Sequence, residues 1–151
     1  MNKKTKKTIG WVIYVVVLVA LVLGVPKGLA YILDTEYPMA SITSGSMWPT
    51  LKKGDLVLIK GIDGKDELKV GDIVVYRNPL KNSEQIQSFT IHRIEKMRKN
   101  NLITKGDANN VSDNPVKYED VIGKALTIKN KVVRIPYLGG AGVLLQKLYA
   151  K

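Results

Sequence analysis

The residues best suited to chemistry are Ser44-Gly45-Ser46-Met47-Trp48-Pro49-Thr50 and His92, the only histidine in the chain. A serine hydroxyl is a weak nucleophile until a neighbouring base takes its proton. It also needs donors for the oxyanion that forms on the attacked carbonyl. Gly45 allows a sharp bend between the two serines, and Pro49 restricts the chain just beyond them. Ser46 is the candidate nucleophile. Its own N–H and the Ser44 hydroxyl are candidate oxyanion donors. His92, in Thr90-Ile91-His92-Arg93, is the candidate general base. Lysine, in a Ser-Lys dyad, is the other residue type able to serve, and the chain is rich in it.

A histidine base needs its second ring nitrogen oriented, usually by a carboxylate. Asp107 and Asp113, in Lys105-Gly106-Asp107-Ala108-Asn109-Asn110-Val111-Ser112-Asp113, are both candidates, and their spacing does not choose between them. The same Asn/Asp-rich segment also suits a plain turn or calcium. It lacks the glycine at the sixth and glutamate at the twelfth position of a calcium-binding helix-loop-helix. No metal and no cofactor is expected. Each of these motifs alone is ordinary: Ser-Gly-Ser occurs in many turns, and a strand histidine is often structural. The combination carries the reading.

The element that positions these residues is apolar. Residues 9–26 carry no charge, and after Lys27 the apolar character resumes in residues 28–33. A spanning helix needs about 20 mostly apolar residues, which this stretch provides if Lys27 snorkels to an interface. Trp11 and Tyr31 stand near its ends, as interfacial aromatics do. Lys3, Lys4, Lys6 and Lys7 precede it, and Asp34 and Glu36 follow. The positive-inside rule then puts residues 1–8 in the cytoplasm as a basic tail, residues 9–33 in the membrane and the remainder outside. Gly28-Leu29-Ala30 resembles a signal-peptide cleavage site. The apolar core nevertheless exceeds the roughly 7–15 residues of a cleaved signal, so an uncleaved anchor is expected.

Residues 34–134 then form one exported domain, and about a hundred residues suffice for one core. Runs at 56–59, 72–76, 88–94, 101–104 and 121–135 are rich in β-branched residues and bounded by turn formers, so they predict strands. Phe89 and Ile91 alternate with Thr90 and His92. No helical period is sustained between residues 52 and 134. The fold class is therefore mostly β, an antiparallel sheet preceded by one N-terminal transmembrane helix. Gly54-Asp55 and Gly71-Asp72 read as turns. Residues 77–83 read as an exposed loop. Residues 135–151 form an apolar tail too short to span, suited either to the membrane surface or to packing on the domain.

No cysteine is present, which excludes disulfides and thiolate chemistry. The net charge of +11 raises nucleic-acid binding. The excess lysines are scattered, however, and one phenylalanine makes a poor stacking platform for bases. A basic surface near anionic lipid head groups is the simpler account, and no nucleic-acid partner is expected.

Taken together these residues resemble type I signal peptidase, in its archaeal and endoplasmic-reticulum Ser-His branch. Ser44 to Leu51 is similar to that family's S-G-S-M-x-P-T-L box, and Lys53-Gly54-Asp55-Leu56-Val57 to the G-D strand after it. Gly71-Asp72-Ile73-Val74 is similar to a later G-D segment, and Ile91-His92-Arg93-Ile94 to the box holding the base, which is lysine in the bacterial branch. Lys105-Gly106-Asp107-Ala108-Asn109 with Ser112-Asp113 is similar to the last box. The resemblance implies a largely antiparallel β fold and removal of signal peptides from exported preproteins. It implies a Ser46–His92 pair, Asp113 as the triad acid, Asp107 as a second important acid and Ser44 as oxyanion donor. Ile42, Met47 and Leu51 are expected, by position, to line shallow pockets for small substrate residues. Expected partners are preprotein signal peptides, membrane lipid and accessory subunits. The expected location is a plasma or endoplasmic-reticulum-type membrane. The alternative from another class is a non-catalytic anchored β domain that binds extended peptides.

Overall fold

The computed structural model describes residues 2–78 and 89–140. It opens with α1, Lys3–Ile32, which starts earlier than the apolar run because the lysine-rich stretch joins the helix. Among the described residues this is the one helix long and apolar enough to cross a membrane, and none of its apolar window is buried inside the protein. Its many valines are modest helix formers in water. In lipid the backbone must bond internally, so the helix is the stable conformer.

The helix end is tied to the rest of the chain. Leu33 caps it with its N–H on the Leu29 carbonyl, and Asp34 turns the chain at φ 49°. Leu33 is buried, and its carbonyl accepts the Gly61 N–H at 2.8 Å. A side chain at Gly61 would begin 1.7 Å from the Asp34 carbonyl oxygen, so only glycine permits this approach.

The remaining described residues are mostly β. The strands are β1 (Met39–Ser41), β2 (Leu56–Lys60), β3 (Ile73–Arg77), β4 (Phe89–Met97), β5 (Asn101–Lys105), β6 (Val116–Lys117), β7 (Val121–Ala125), β8 (Thr127–Ile128), β9 (Lys131–Val132) and β10 (Arg134–Ile135). The main sheet runs β1-β2-β7-β3-β4-β5-β6, with β10 also on β2, and β8 pairs β9 apart from it. Every pairing is antiparallel.

Alternation along β3 explains why the sheet is covered on both faces. Ile73 and Val75 join a core with Ile42, Met47, Leu51 and Val57, whereas Val74 and Tyr76 join a second core with Ile94 and Leu102. Side chains of successive strand residues point to opposite faces, so one strand serves both. Val74 pairs with His92, which therefore stands on the second face. Phe89 and Ile91 pack against the first core, as their alternation with Thr90 and His92 predicts.

The long run at 121–135 is broken rather than continuous. Lys129 and Asn130 take positive φ of 50° and 61°, the conformation of a tight hairpin turn, and this creates the small β8–β9 ribbon. Ser88, the loop residues 79–83 and the tail beyond residue 140 lie outside the described residues. The near part of the tail packs on the domain: β10 pairs β2, and the Gly139 N–H reaches the Gly54 carbonyl at 2.8 Å.

Replacing Gly61 with alanine is expected to lower the melting temperature of the detergent-solubilised chain, with a cost of about 1–3 kcal/mol from the forced overlap with Asp34. Gly64→Ala, where a side chain meets nothing within 4 Å, is the control and should leave the transition in place. Thermal scans of both variants check this.

Candidate active site

Ser46 lies in the loop between β1 and β2. The loop is bound to the core beneath it by Met47 and Leu51, 1 % and 0 % exposed, with the Leu51 N–H on the Met47 carbonyl. Spaced four residues apart in this turn, they enter the core together and leave Ser46 on the open side. Ile42, 4 % exposed, belongs to the same cluster. The three residues expected to line substrate pockets are thus brought together, but as core packing under the serine loop. Trp48 is exposed instead, and the Trp48–Pro49 peptide is cis.

His92 comes from the middle of β4 and is 8 % exposed. Its Nε2 is 3.0 Å from Ser46 Oγ, across 46 residues of sequence. Its Nδ1 is 2.5 Å from Asp113 Oδ2. A carboxylate only accepts, so the proton sits on Nδ1 and the Nε2 lone pair faces the serine hydroxyl. Ser44 Oγ lies 3.1 Å from Ser46 Oγ.

Between the two candidate acids the geometry distinguishes clearly. Asp113 bonds His92, whereas Asp107 is gripped by Arg93 on the opposite face of β4. Arg93 donates from Nε and Nη2 to the two Asp107 oxygens at 2.8 and 2.7 Å. It also reaches the Gly71 carbonyl and Thr50 Oγ1. Burial pushes the Asp107 carboxyl up, but the Arg93 hydrogen bonds and charge outweigh it and hold the group below its ordinary value. Arg93 is raised in turn, chiefly by its bond to Asp107.

This ion pair fixes the loop that carries both acids. The Ala108 N–H donates to the Ser46 carbonyl at 2.8 Å, and a side chain on Gly106 would meet that same oxygen at 2.7 Å. Gly106 is therefore a close-approach glycine. Gly54 and Gly71 differ from it: both have positive φ, and the aspartate after each caps its turn, Asp55 from Lys52 N–H and Asp72 from Lys69 N–H. The turn reading of those two dipeptides agrees with this geometry.

Two residues at the site went unnoticed in the sequence. Thr104, on β5, donates to Asp113 Oδ2 at 2.7 Å, and Tyr76, on β3, donates to the same oxygen at 3.2 Å. Burial pushes the Tyr76 phenol up to about 12, so it keeps its proton at neutral pH. The available signal was a polar residue at a strand position otherwise apolar, Thr104 after Leu102 and Tyr76 after Val74. Among the described residues no group of three or more His, Asp or Glu side chains could hold a metal.

A serine hydroxyl, a buried imidazole and a half-buried carboxylate joined in series form an arrangement able to activate the hydroxyl for acyl transfer. Residues 8–138 match the family model described as signal peptidase, peptidase S26. The chain belongs to that family. It is 34 % identical over 124 residues to the signal peptidase complex catalytic subunit sec11 of Sclerotinia sclerotiorum, covering 80 % of this chain and 71 % of that one. It is 32 % identical over 128 residues to the SEC11 catalytic subunit of Fusarium vanettenii, with the same coverage of both chains.

The Asp107–Arg93 pair yields a prediction with a definite sign. The folded-state value of Asp107 lies below its ordinary 3.8, so its stabilisation is present above about pH 4 and lost as pH falls through the lower folded value. Asp107→Asn should be less stable than wild type near neutral pH, and the gap should narrow under acid. Denaturant titrations at pH 7 and pH 3 check this, and a gap that widens under acid would contradict it.

Proposed function

We propose that the chain removes signal peptides from exported preproteins as a membrane-anchored serine endopeptidase, with Ser46 as nucleophile, His92 as general base and Asp113 as the acid that orients it. The observation that carries this reading is the continuous Ser46–His92–Asp113 hydrogen-bonded series at 3.0 and 2.5 Å. Family membership supplies the substrate class.

In this reaction Ser46 Oγ attacks the scissile carbonyl while its proton passes to His92 Nε2. The imidazolium so formed is stabilised by Asp113. The C–N bond breaks, the leaving amine takes the proton from Nε2, and the signal peptide stays on Ser46 as an ester. Water, deprotonated by His92, then releases it. The Ser46 N–H, for which no acceptor is found among the described residues, and the Ser44 hydroxyl stabilise the oxyanion. Asp107 acts at one remove, by holding the loop that bonds the Ser46 carbonyl.

Substrate lies extended beside β1, the terminal strand of the sheet, and gains backbone hydrogen bonds there. The helix end tied to Gly61 keeps the serine near the bilayer, where the cleavage site emerges. The basic tail, residues 1–8, is cytoplasmic, residues 9–33 span a plasma or endoplasmic-reticulum-type membrane, and the catalytic domain, residues 34–134, is outside. Tail residues 135–151 begin against that domain. The similar fungal proteins are named as subunits of a complex, which favours accessory subunits here as well.

Ser46→Ala and His92→Ala should each reduce cleavage of a preprotein with an Ala-x-Ala site by about a thousandfold or more, with an unchanged thermal transition. His92→Lys should not restore activity, because a neutral lysine base needs a desolvated pocket of its own. Gel-based turnover assays check both, and wild-type-like turnover by Ser46→Ala would refute the nucleophile assignment.

A further inference from the structure

The carboxylate of Asp113 arrives on a segment with no strand pairing, yet His92 needs it in one place. The Asp113 N–H donates to the Thr104 carbonyl at 2.8 Å, and the Thr104 hydroxyl donates to Asp113 Oδ2 at 2.7 Å, so one residue grips both its backbone and its side chain. Tyr76 adds a third donor to the oxygen already bonded by His92. Tyr76 and Thr104 come from β3 and β5, the strands on either side of the one carrying His92. They are 4 % and 0 % exposed, so both donors are shielded from bulk water, although the carboxylate they share is only half-buried.

We infer that Tyr76 and Thr104 are positioning residues for catalysis: they fix the Asp113 carboxylate against His92 Nδ1. The inference rests on the Ser46–His92–Asp113 reading. Each hydroxyl has one proton, and a carboxylate can only accept, so both protons go to Asp113. The 3.3 Å approach between Thr104 Oγ1 and the Tyr76 oxygen is then a contact between two donors that share one acceptor. Donors to an anion favour the anion. Removing one leaves the carboxylate with fewer donors and so a stronger acceptor for the imidazolium N–H. The acid limb of activity then moves to higher pH.

Asp107, Arg93 and Glu95 have hydrogen-bond partners of their own. Asp107 acts on His92 from the loop after β5, and Arg93 neutralises it. Glu95 is bonded to the Ser112 hydroxyl beside Asp113. None of these changes when a hydroxyl is removed from Tyr76 or Thr104.

The test uses the full chain, purified in detergent from membranes in which it processes preproteins, with whatever subunits accompany it. The pH dependence of kcat/KM is measured for wild type, Thr104→Val, Thr104→Ser, Tyr76→Phe and Ser46→Ala on an Ala-x-Ala preprotein. Thr104→Val should lose about tenfold at the plateau, a size typical of groups that orient a reacting side chain. Its acid limb should move to higher pH. Tyr76→Phe should do the same to a smaller extent, as its bond is longer, and Thr104→Ser should return the limb to the wild-type position. A change confined to the folded fraction would lower the plateau and leave the limb where it was. Unmoved limbs in Thr104→Val and Tyr76→Phe, with Ser46→Ala inactive, overturn the inference alone. An active Ser46→Ala overturns the reading on which it rests. If Thr104→Val does not fold, the Tyr76→Phe limb decides.

Discussion

The geometry of the site depends on one strap, the hydrogen bond from the Ala108 N–H to the Ser46 carbonyl at 2.8 Å. Ser46 and Asp113 both sit in segments that no strand ladder holds. Only His92 is fixed by the sheet, through its pairing with Val74 on β3. Two loops must therefore be registered to a strand, and to each other, within the tolerance of a hydrogen bond. The strap ties the acid-bearing loop to the serine loop, and Thr104 ties its far end back to β5. Gly106 is what permits the approach, since any side chain there would strike the oxygen being bonded.

Around that strap the two faces of the sheet divide the work. The first core holds Met47 and Leu51 and so fixes the serine loop from below. The second holds Tyr76, on the same face as His92, and lies beneath the carboxylate network. β4 separates them: His92 faces one side with Asp113, and Arg93 faces the other with Asp107. A single dipeptide thus serves both the hydrogen-bonded Ser46–His92–Asp113 series and the Arg93–Asp107 ion pair, because strand side chains alternate between faces. The two acids differ in role because they lie on opposite sides of that strand.

Much of this was legible in the residues. The apolar run with lysines before it and acids after it specified the helix, and β-branched runs at 56–59 and 72–76 specified strands close to those observed. Ser46 and His92 stood out by residue type. Spacing alone did not choose between Asp107 and Asp113, which only the family resemblance separated, because the choice turns on which face of β4 each loop end reaches. Ile42, Met47 and Leu51 were read by their nearness to the serine, whereas their direction is set by a turn that has no periodic signature. The Lys129-Asn130 turn was hidden because it lacks the glycine that usually marks such hairpins. Thr104 and Tyr76 resembled ordinary strand residues, and only the tertiary pairing brings their hydroxyls to one oxygen.

The central claim is that Ser46 and His92 act as one catalytic unit. The direct measurement is a double-mutant cycle: kcat/KM for wild type, Ser46→Ala, His92→Ala and the combined variant on one preprotein. Residues that act as a unit are strongly non-additive. The combined variant should be no slower than the more damaged single variant. Losses that multiply would mean that the two side chains act independently, and would contradict the account.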